Sequence, residues 1–287
     1  MKFFDPKVDI AFKKLFGSED HKRVTIAFLN TILEYTGDRC IVKIHFMNNE
    51  QLPMGLEKKE NILDIFCTDQ SGKQYIIEMQ NAWEPMFAKR MLWYGAKTYA
   101  EQLNEAKPYK DLNPVIVIAI TKDFKIFPKK LGYKSIHKLI DIKTDEHDLE
   151  DFTFAFIELA KFGKQEHELV TNEDKWLFLL KNIVMYDHIP SPLKQAEFGE
   201  ACQSLNRMTW SNAANTLYEK MLIKAQSAEA VAHLAMGAET ARSEGEQKGR
   251  EEGRLEVAKN LLSTGMEAKA VAHVTGLSLD QIKSLKT

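Results

Sequence analysis

Residues 114–121, Pro-Val-Ile-Val-Ile-Ala-Ile-Thr, restrict the fold more than any other stretch. A continuous apolar run of that length, without polar alternation, predicts a strand buried on both faces. The surrounding pattern supplies its partners. Residues 5–17 and 21–35 read as two helices. Phe4, Val8, Phe12, Leu15 and Phe16 recur at helical spacing, as do Val24, Phe28, Leu29, Ile32 and Leu33. Residues 41–47 are β-rich and alternate, with Ile41, Lys43, His45 and Met47 facing one way, and polar residues 51–60 read as a loop. Residues 61–68 and 73–80 are two strand-like runs. Residues 84–107 predict a long amphipathic helix with Phe87, Met91, Trp93, Tyr94, Tyr99 and Leu103 at its apolar positions. Residues 152–159 alternate again as a late strand. The order α-β-β-β-α-β points to a mixed α/β core.

From about Asn172 the strand signals stop. Trp176, Phe178, Leu179, Leu180 and Ile183 suggest a helix, broken at Ile189-Pro-Ser-Pro, and from Glu197 the pattern is almost wholly helical. Gly237, Gly245, Gly249 and Gly253 recur in steps of four or eight within a highly charged segment. That spacing describes either a helical face open to another backbone or a solvated, fraying linker, since each interior glycine costs a helix about 1 kcal/mol. From Glu256 the chain predicts three short helical pieces. Leu261 and Leu262 end the first at Gly265, Thr275-Gly276 closes the second, and Ser278 with Gln281 forms a capping-box pattern for the third. This spacing resembles a helix-turn-helix. Its third helix offers Lys283 and Lys286 to DNA and little else, so a packing or oligomerisation unit is the competing expectation.

Charge excludes some partners. The 39 basic and 41 acidic residues among 287 leave a net charge of −2. No global field draws the chain to nucleic acid or membrane, and an anionic ligand must meet a local patch. Lys122, Lys125, Lys129, Lys130, Lys134 and Lys138 are one such run, either tracking a phosphate backbone or forming a solvated face. Cys40, Cys67 and Cys202 are scattered and fit no metal-ligand spacing, as expected of reduced thiols in the cytoplasm. No apolar stretch approaches the ~20 residues that span a bilayer. The eight histidines show no HxxxH or HxH pairing.

The chemistry concentrates in residues 61–80. A loop of Gln70, Ser71 and Gly72 predicts a three-residue hairpin in which Gly72 takes positive φ. With Ser71 at the centre, residues whose numbers sum to 142 face each other, which opposes Asp64 to Glu78 with Cβ atoms about 4.5–5.5 Å apart. Gln80 points to the same face. Two carboxylates among Ile62, Leu63, Ile65, Phe66, Ile76, Ile77 and Met79 repel each other and lose hydration. A shared proton, an intervening Lys or Arg, or a divalent cation relieves them. Hard oxygen donors suit Mg²⁺ or Mn²⁺, and the nearby sequence places no cation on that face. An ordinary strand pair at a solvated edge is the bland alternative.

Asp64, the hairpin and Glu78-Met79-Gln80 resemble the PD-(D/E)XK nuclease superfamily, and more narrowly the recombination-promoting nucleases or putative transposases (Rpn). The opening Asp9-Ile-Ala-Phe-Lys-Lys-Leu-Phe-Gly17 resembles that branch's N-terminal signature. Arg90-Met-Leu-Trp-Tyr94, Tyr99 with Gln102-Leu103, Tyr109 and the 114–120 strand resemble the helix and strand that follow. The likeness covers roughly residues 1–160. It implies a restriction-endonuclease-like α/β core, a mixed central sheet flanked by helices, with an all-helical C-terminal region. The corresponding division is a nuclease-like domain over 1–165, a helical region over 166–235, a Gly-spaced helix or linker over 236–255 and a helix-turn-helix-like module over 256–287.

The implied activity is Mg²⁺-dependent DNA endonuclease, with Mn²⁺ as a substitute, in recombination, transposition or defence. Asp64 and Glu78 would ligate the metal, and a homo-oligomer through the C-terminal helices fits the same picture. Gln80 stands where the wider superfamily usually has Lys. It can hydrogen-bond a water but supplies no positive charge. Lys89, Arg90 or Lys97 could supply that charge, Tyr94 could contact phosphate or scaffold the site, and Asp9 is a weaker acidic match. The rival expectation is a DNA-binding or assembly protein that keeps the fold without turnover.

Overall fold

The computed structural model describes residues 2–47, 50–51, 61–103 and 108–285. Most of the loop expected at 51–60, the last four residues of the helix expected at 84–107, and Lys286 lie outside the described residues. Two compact units divide the chain, residues 1–230 and 231–287.

In the first unit, helices α1 (Asp9–Phe16) and α2 (Lys22–Ile32) precede β1 (Ile44–Phe46), a short pair β2 (Glu50–Gln51) and β3 (Asn61–Ile62), and the hairpin β4 (Ile65–Asp69) and β5 (Gln74–Gln80). Helix α3 (Phe87–Glu101) leads to β6 (Val115–Thr121), β7 (Lys134–Lys138) and β8 (Phe152–Glu158). Helices α4 (Asn172–Asn182), α5 (Ala196–Ser204) and α6 (Asn212–Ser263) follow, and α6 continues into the second unit. The six-stranded sheet runs β1-β4-β5-β6-β8-β7, while β2 and β3 pair separately. β5, β6 and β8 are mutually parallel, and their other partners run antiparallel.

β6 is buried along its whole length, as its sequence requires. Its alternate residues enter two different cores. Ile116, Ile118 and Ile120 join the larger one with α1, α2, α4 and α5, where Phe12, Phe16, Phe28 and Trp176 are among the largest buried side chains. Val115, Val117 and Ala119 join the smaller one with Phe87, Met91 and Tyr94 of α3 and Phe154 and Phe156 of β8. Helices therefore cover both faces. α3 lies close to the sheet because Gly95 has no side chain, and a Cβ there would stand 3.0 Å from the Phe154 ring and 3.3 Å from Val117.

The hairpin register is the one that the loop dictates. Ile65 pairs with Ile77, Phe66 with Ile76, Cys67 with Tyr75 and Thr68 with Gln74, all summing to 142. Gly72 has φ +88°. Buried Asp69 fastens the turn, its Oδ1 accepting from the Ser71 N–H (2.7 Å), the Ser71 hydroxyl (2.7 Å) and the Lys73 N–H (3.1 Å), while Oδ2 accepts from the Tyr75 hydroxyl (2.8 Å).

Several expectations need correction. The run 61–68 is not one strand, because it breaks at Leu63–Asp64 between β3 and β4. Ile41 does not share a face with Lys43, His45 and Met47 in a strand. It is buried ahead of β1, with its backbone N–H and carbonyl both held by the Asn30 amide (2.8 and 2.9 Å). Trp93 is not a core position, being 47 % exposed. Lys134 and Lys138, taken as part of a basic run, bound the edge strand β7, whose polar composition hides it.

The second unit holds the end of α6, then α7 (Ala268–Thr275) and α8 (Leu279–Ser284). Ala258, Val271, Leu277 and Ile282 form its buried core, with Leu255, Leu261 and Leu262 packed against them. The Met266 N–H bonds back to the Leu261 carbonyl (3.2 Å), which ends α6 at Gly265. The Ser278–Gln281 capping box is formed in both directions. The Gly-spaced segment is helical, and among the described residues nothing beyond the local helix backbone lies within 4 Å of the Cβ positions at its four glycines.

Candidate active site

Asp64, Phe66, Glu78 and Gln80 have the strand parity that faces α3, at the carboxyl end of the parallel strands β5 and β6. The carboxyl ends of parallel strands are where open α/β sheets bind ligands. At Asp64 side chains take over the ladder. The Met79 N–H donates to Asp64 Oδ2 (2.8 Å), and the Asp64 N–H donates to Glu78 Oε1 (3.1 Å). Each carboxylate is thus fixed by the backbone of the other's strand, and this exchange explains why the regular strand stops at that point. On the other side of Glu78 the β6 partner is the buried Ala119.

Glu78 is almost fully buried, and among the described residues it forms no ion pair. Burial and the neighbouring Asp64 charge push its carboxyl up to about 8. Burial also raises Asp64, to about 6, with Asp9 adding to the rise while the Met79 N–H, Lys13 and Arg90 oppose it. Two such acids hold protons readily when no cation is near and would exchange them for one. Their hard oxygen donors fit Mg²⁺ or Mn²⁺. Among the described residues no group of three or more His, Cys, Asp and Glu forms a metal-holding cluster.

The N-terminal segment reaches the same region. The Asn81 amide donates to the Lys7 carbonyl (2.6 Å), tying the end of β5 to the residues before α1. Asp9 itself pairs with Lys13 one turn along (2.8 Å), and its charge adds to the rise at Asp64.

Gln80 is engaged at both ends. Its Nε2 donates to the Ala82 carbonyl (2.8 Å), and its Oε1 accepts from the Arg90 guanidinium (2.7 Å). The guanidinium also pairs with Glu84 and lies 5.0 Å from the Phe87 ring and 5.8 Å from the Tyr94 ring. Among the described residues its buried Nε–H has no acceptor, a cost of roughly 1–3 kcal/mol. Arg90 also sits near the N-terminus of α3, where a cation opposes the helix dipole. Tyr94 is buried and within the field of Glu78, which helps to raise its hydroxyl after burial.

The other expected cations lie elsewhere. Lys89 is exposed. Lys97 is buried, 3.6 Å from Glu101 and 5.2 Å from the Trp93 ring. In the basic run, Lys122 is bound to Glu229 of α6 (2.7 Å), and Lys134 to Glu34 (2.7 Å) and Glu173. Lys125, Lys129 and Lys130 remain exposed, Lys130 with its ammonium 5.1 Å from the Phe127 ring. Sequence reading missed the Gln80–Arg90–Glu84 chain. The only hint was the coexistence of a Gln in a site that needs charge and an Arg early in the next helix.

A mixed six-stranded sheet with helices on both faces and a long helical C-terminal region is consistent with the PD-(D/E)XK nuclease fold. The family model described as PD-(D/E)XK nuclease family transposase matches residues 6–232. The C-terminal HTH domain of the Rpn/YhgA-like nuclease family matches residues 251–287. The chain belongs to the PD-(D/E)XK nuclease family transposases and carries the Rpn-type C-terminal helix-turn-helix. Searches of curated proteins and of solved structures returned no match. Among the described residues no helix is long and apolar enough to cross a membrane.

Proposed function

We propose that this chain is a divalent-metal-dependent DNA endonuclease that hydrolyses phosphodiester bonds. One observation carries the reading: two carboxylates, clasped to each other's backbone on a buried face, with no cation paired to Glu78 among the described residues. Asp64 and Glu78 would hold Mg²⁺ or Mn²⁺, which lowers the pKa of water and neutralises charge on the reacting phosphate. The chain's own part is to keep the two acids side by side, ionised once a cation arrives. The buried thiols take no part, since burial pushes Cys67 and Cys202 up to about 12. Family membership and the C-terminal helix-turn-helix support DNA as the substrate.

A second reading, DNA binding or assembly without turnover, is favoured by Gln80, whose amide is already occupied at both ends. Incubation of supercoiled plasmid with Mg²⁺, Mn²⁺, Ca²⁺ or EDTA separates the two. Nicking with Mg²⁺ or Mn²⁺, lost in Asp64→Ala and in Glu78→Ala, is the expected result. Cleavage that survives Asp64→Ala rejects the site. DNA retention without nicking selects the second reading.

A further inference from the structure

We infer that Gln80 is a positioning residue for Arg90, and that Arg90 delivers the positive charge this site needs at the phosphate. The inference rests on the endonuclease reading and identifies which cation serves it. Hydrolysis of a phosphodiester builds negative charge on phosphorus oxygens, and a fixed positive group beside them stabilises it. Gln80 has no charge, and its amide is committed: Nε2 to the Ala82 carbonyl and Oε1 to Arg90. Both ends of the amide are anchored, so its direction is set by Ala82 and Arg90, with one N–H and one lone pair left over. What it does hold is a guanidinium.

Three contacts aim that guanidinium. Gln80 takes one terminal nitrogen, Glu84 takes the other, and the Phe87 and Tyr94 rings lie against the group. A planar fork held this way keeps its direction, as a lysine ammonium on a flexible stem would not. Arg90 is the cation of α3 that meets the acid-bearing strand, because Gln80 is two residues from Glu78 on the same strand face. Lys89 points to solvent, and Lys97 lies two turns further along α3 beside Glu101 and Trp93.

The test is a rescue by moving the charge. Single-turnover cleavage of labelled duplex DNA is measured for wild type, Arg90→Met, Arg90→Lys, Gln80→Met, Gln80→Lys and the double variant Gln80→Lys/Arg90→Met. Thermal melting checks folding, and anisotropy in Ca²⁺ measures DNA affinity separately from the chemical step. Arg90→Met is expected to slow cleavage about 100-fold or more while affinity changes by less than about threefold. Gln80→Met, which keeps the arginine but frees it, loses about 10-fold or more, mostly in kcat. Gln80→Lys/Arg90→Met is expected to cleave at least about 10-fold faster than Arg90→Met, since it restores a cation at the same place.

A merely structural arginine would not respond to a lysine placed ten residues away. Full-rate cleavage by Arg90→Met, or no gain from Gln80→Lys in that background, overturns the inference while leaving the endonuclease reading intact. A folded wild type without cleavage in Mg²⁺ and Mn²⁺ overturns the endonuclease reading, and the inference with it.

Discussion

Glu78→Gln should make the metal-free protein more stable, and the size and pH dependence of the gain follow from the geometry. Glu78 is buried beside Asp64, and its carboxyl is raised from 4.5 to about 8. A carboxyl whose folded pKa lies above its unfolded value favours folding fully at pH below the unfolded value. That advantage is lost as pH rises through the folded one. At pH 8 the wild type therefore carries a penalty that it lacks near pH 4.5. For a buried acid raised in this direction the penalty is on the order of 1–3 kcal/mol. For a unit of this size that is a rise in Tm of roughly 3–10 °C.

Glutamine keeps an acceptor for the Asp64 N–H, so the backbone clasp survives the substitution. Thermal melts in EDTA at pH 5, 6, 7 and 8 should show the variant ahead at pH 8, with the difference closing toward pH 5. Mn²⁺ should reverse the order, because a ligand at 100 times its Kd adds about 2.7 kcal/mol to the form that binds it. A variant that melts below wild type at pH 8 in EDTA, or a difference that ignores pH, would refute the account of Glu78 as a buried acid waiting for a cation.

Three further outcomes are expected. Asp69→Ala removes the acceptor of three turn contacts and of the buried Tyr75 hydroxyl, at a cost of about 2–4 kcal/mol in urea unfolding. Gly95→Val drives side-chain atoms into the Phe154 ring and lifts α3 from the sheet. It should cost about 1–3 kcal/mol and slow cleavage as well, because Arg90 rides on that helix. Replacing Lys125, Lys129 and Lys130 with Gln should flatten the salt dependence of DNA binding if that surface meets phosphate. Lys122→Gln, by contrast, should act mainly on stability through Glu229.

Much of this arrangement is legible before any coordinates. β6 announces itself because a strand covered on both faces has no polar alternation to blur it. The hairpin register is legible because a three-residue loop with glycine at its third position fixes the pairing sum, and Gly72 and Asp69 then enforce it. The two acids follow from that sum. What stays hidden involves groups that leave regular structure or lie at an edge. The break at Asp64 arises because a carboxylate replaces a backbone carbonyl, and no propensity encodes that exchange. β7 reads as a basic run because an edge strand has little apolar burial to reveal it. Trp93 looks like core by its type, yet Lys97 stands against its ring and half of it faces solvent. The Gln80–Arg90 bond joins a strand end to a helix start, and neither partner's neighbours in sequence betray it.

The mutual clasp of Asp64 and Glu78 gives the pocket an unusual independence. Its two acids take one anchor each from peptide groups, which every amino acid supplies. Surrounding residues can then be exchanged without swinging the acids out of line. Such a centre can change which cation assists it, or trade a lysine for a glutamine leaning on an arginine, while the skeleton that points the carboxylates stays put.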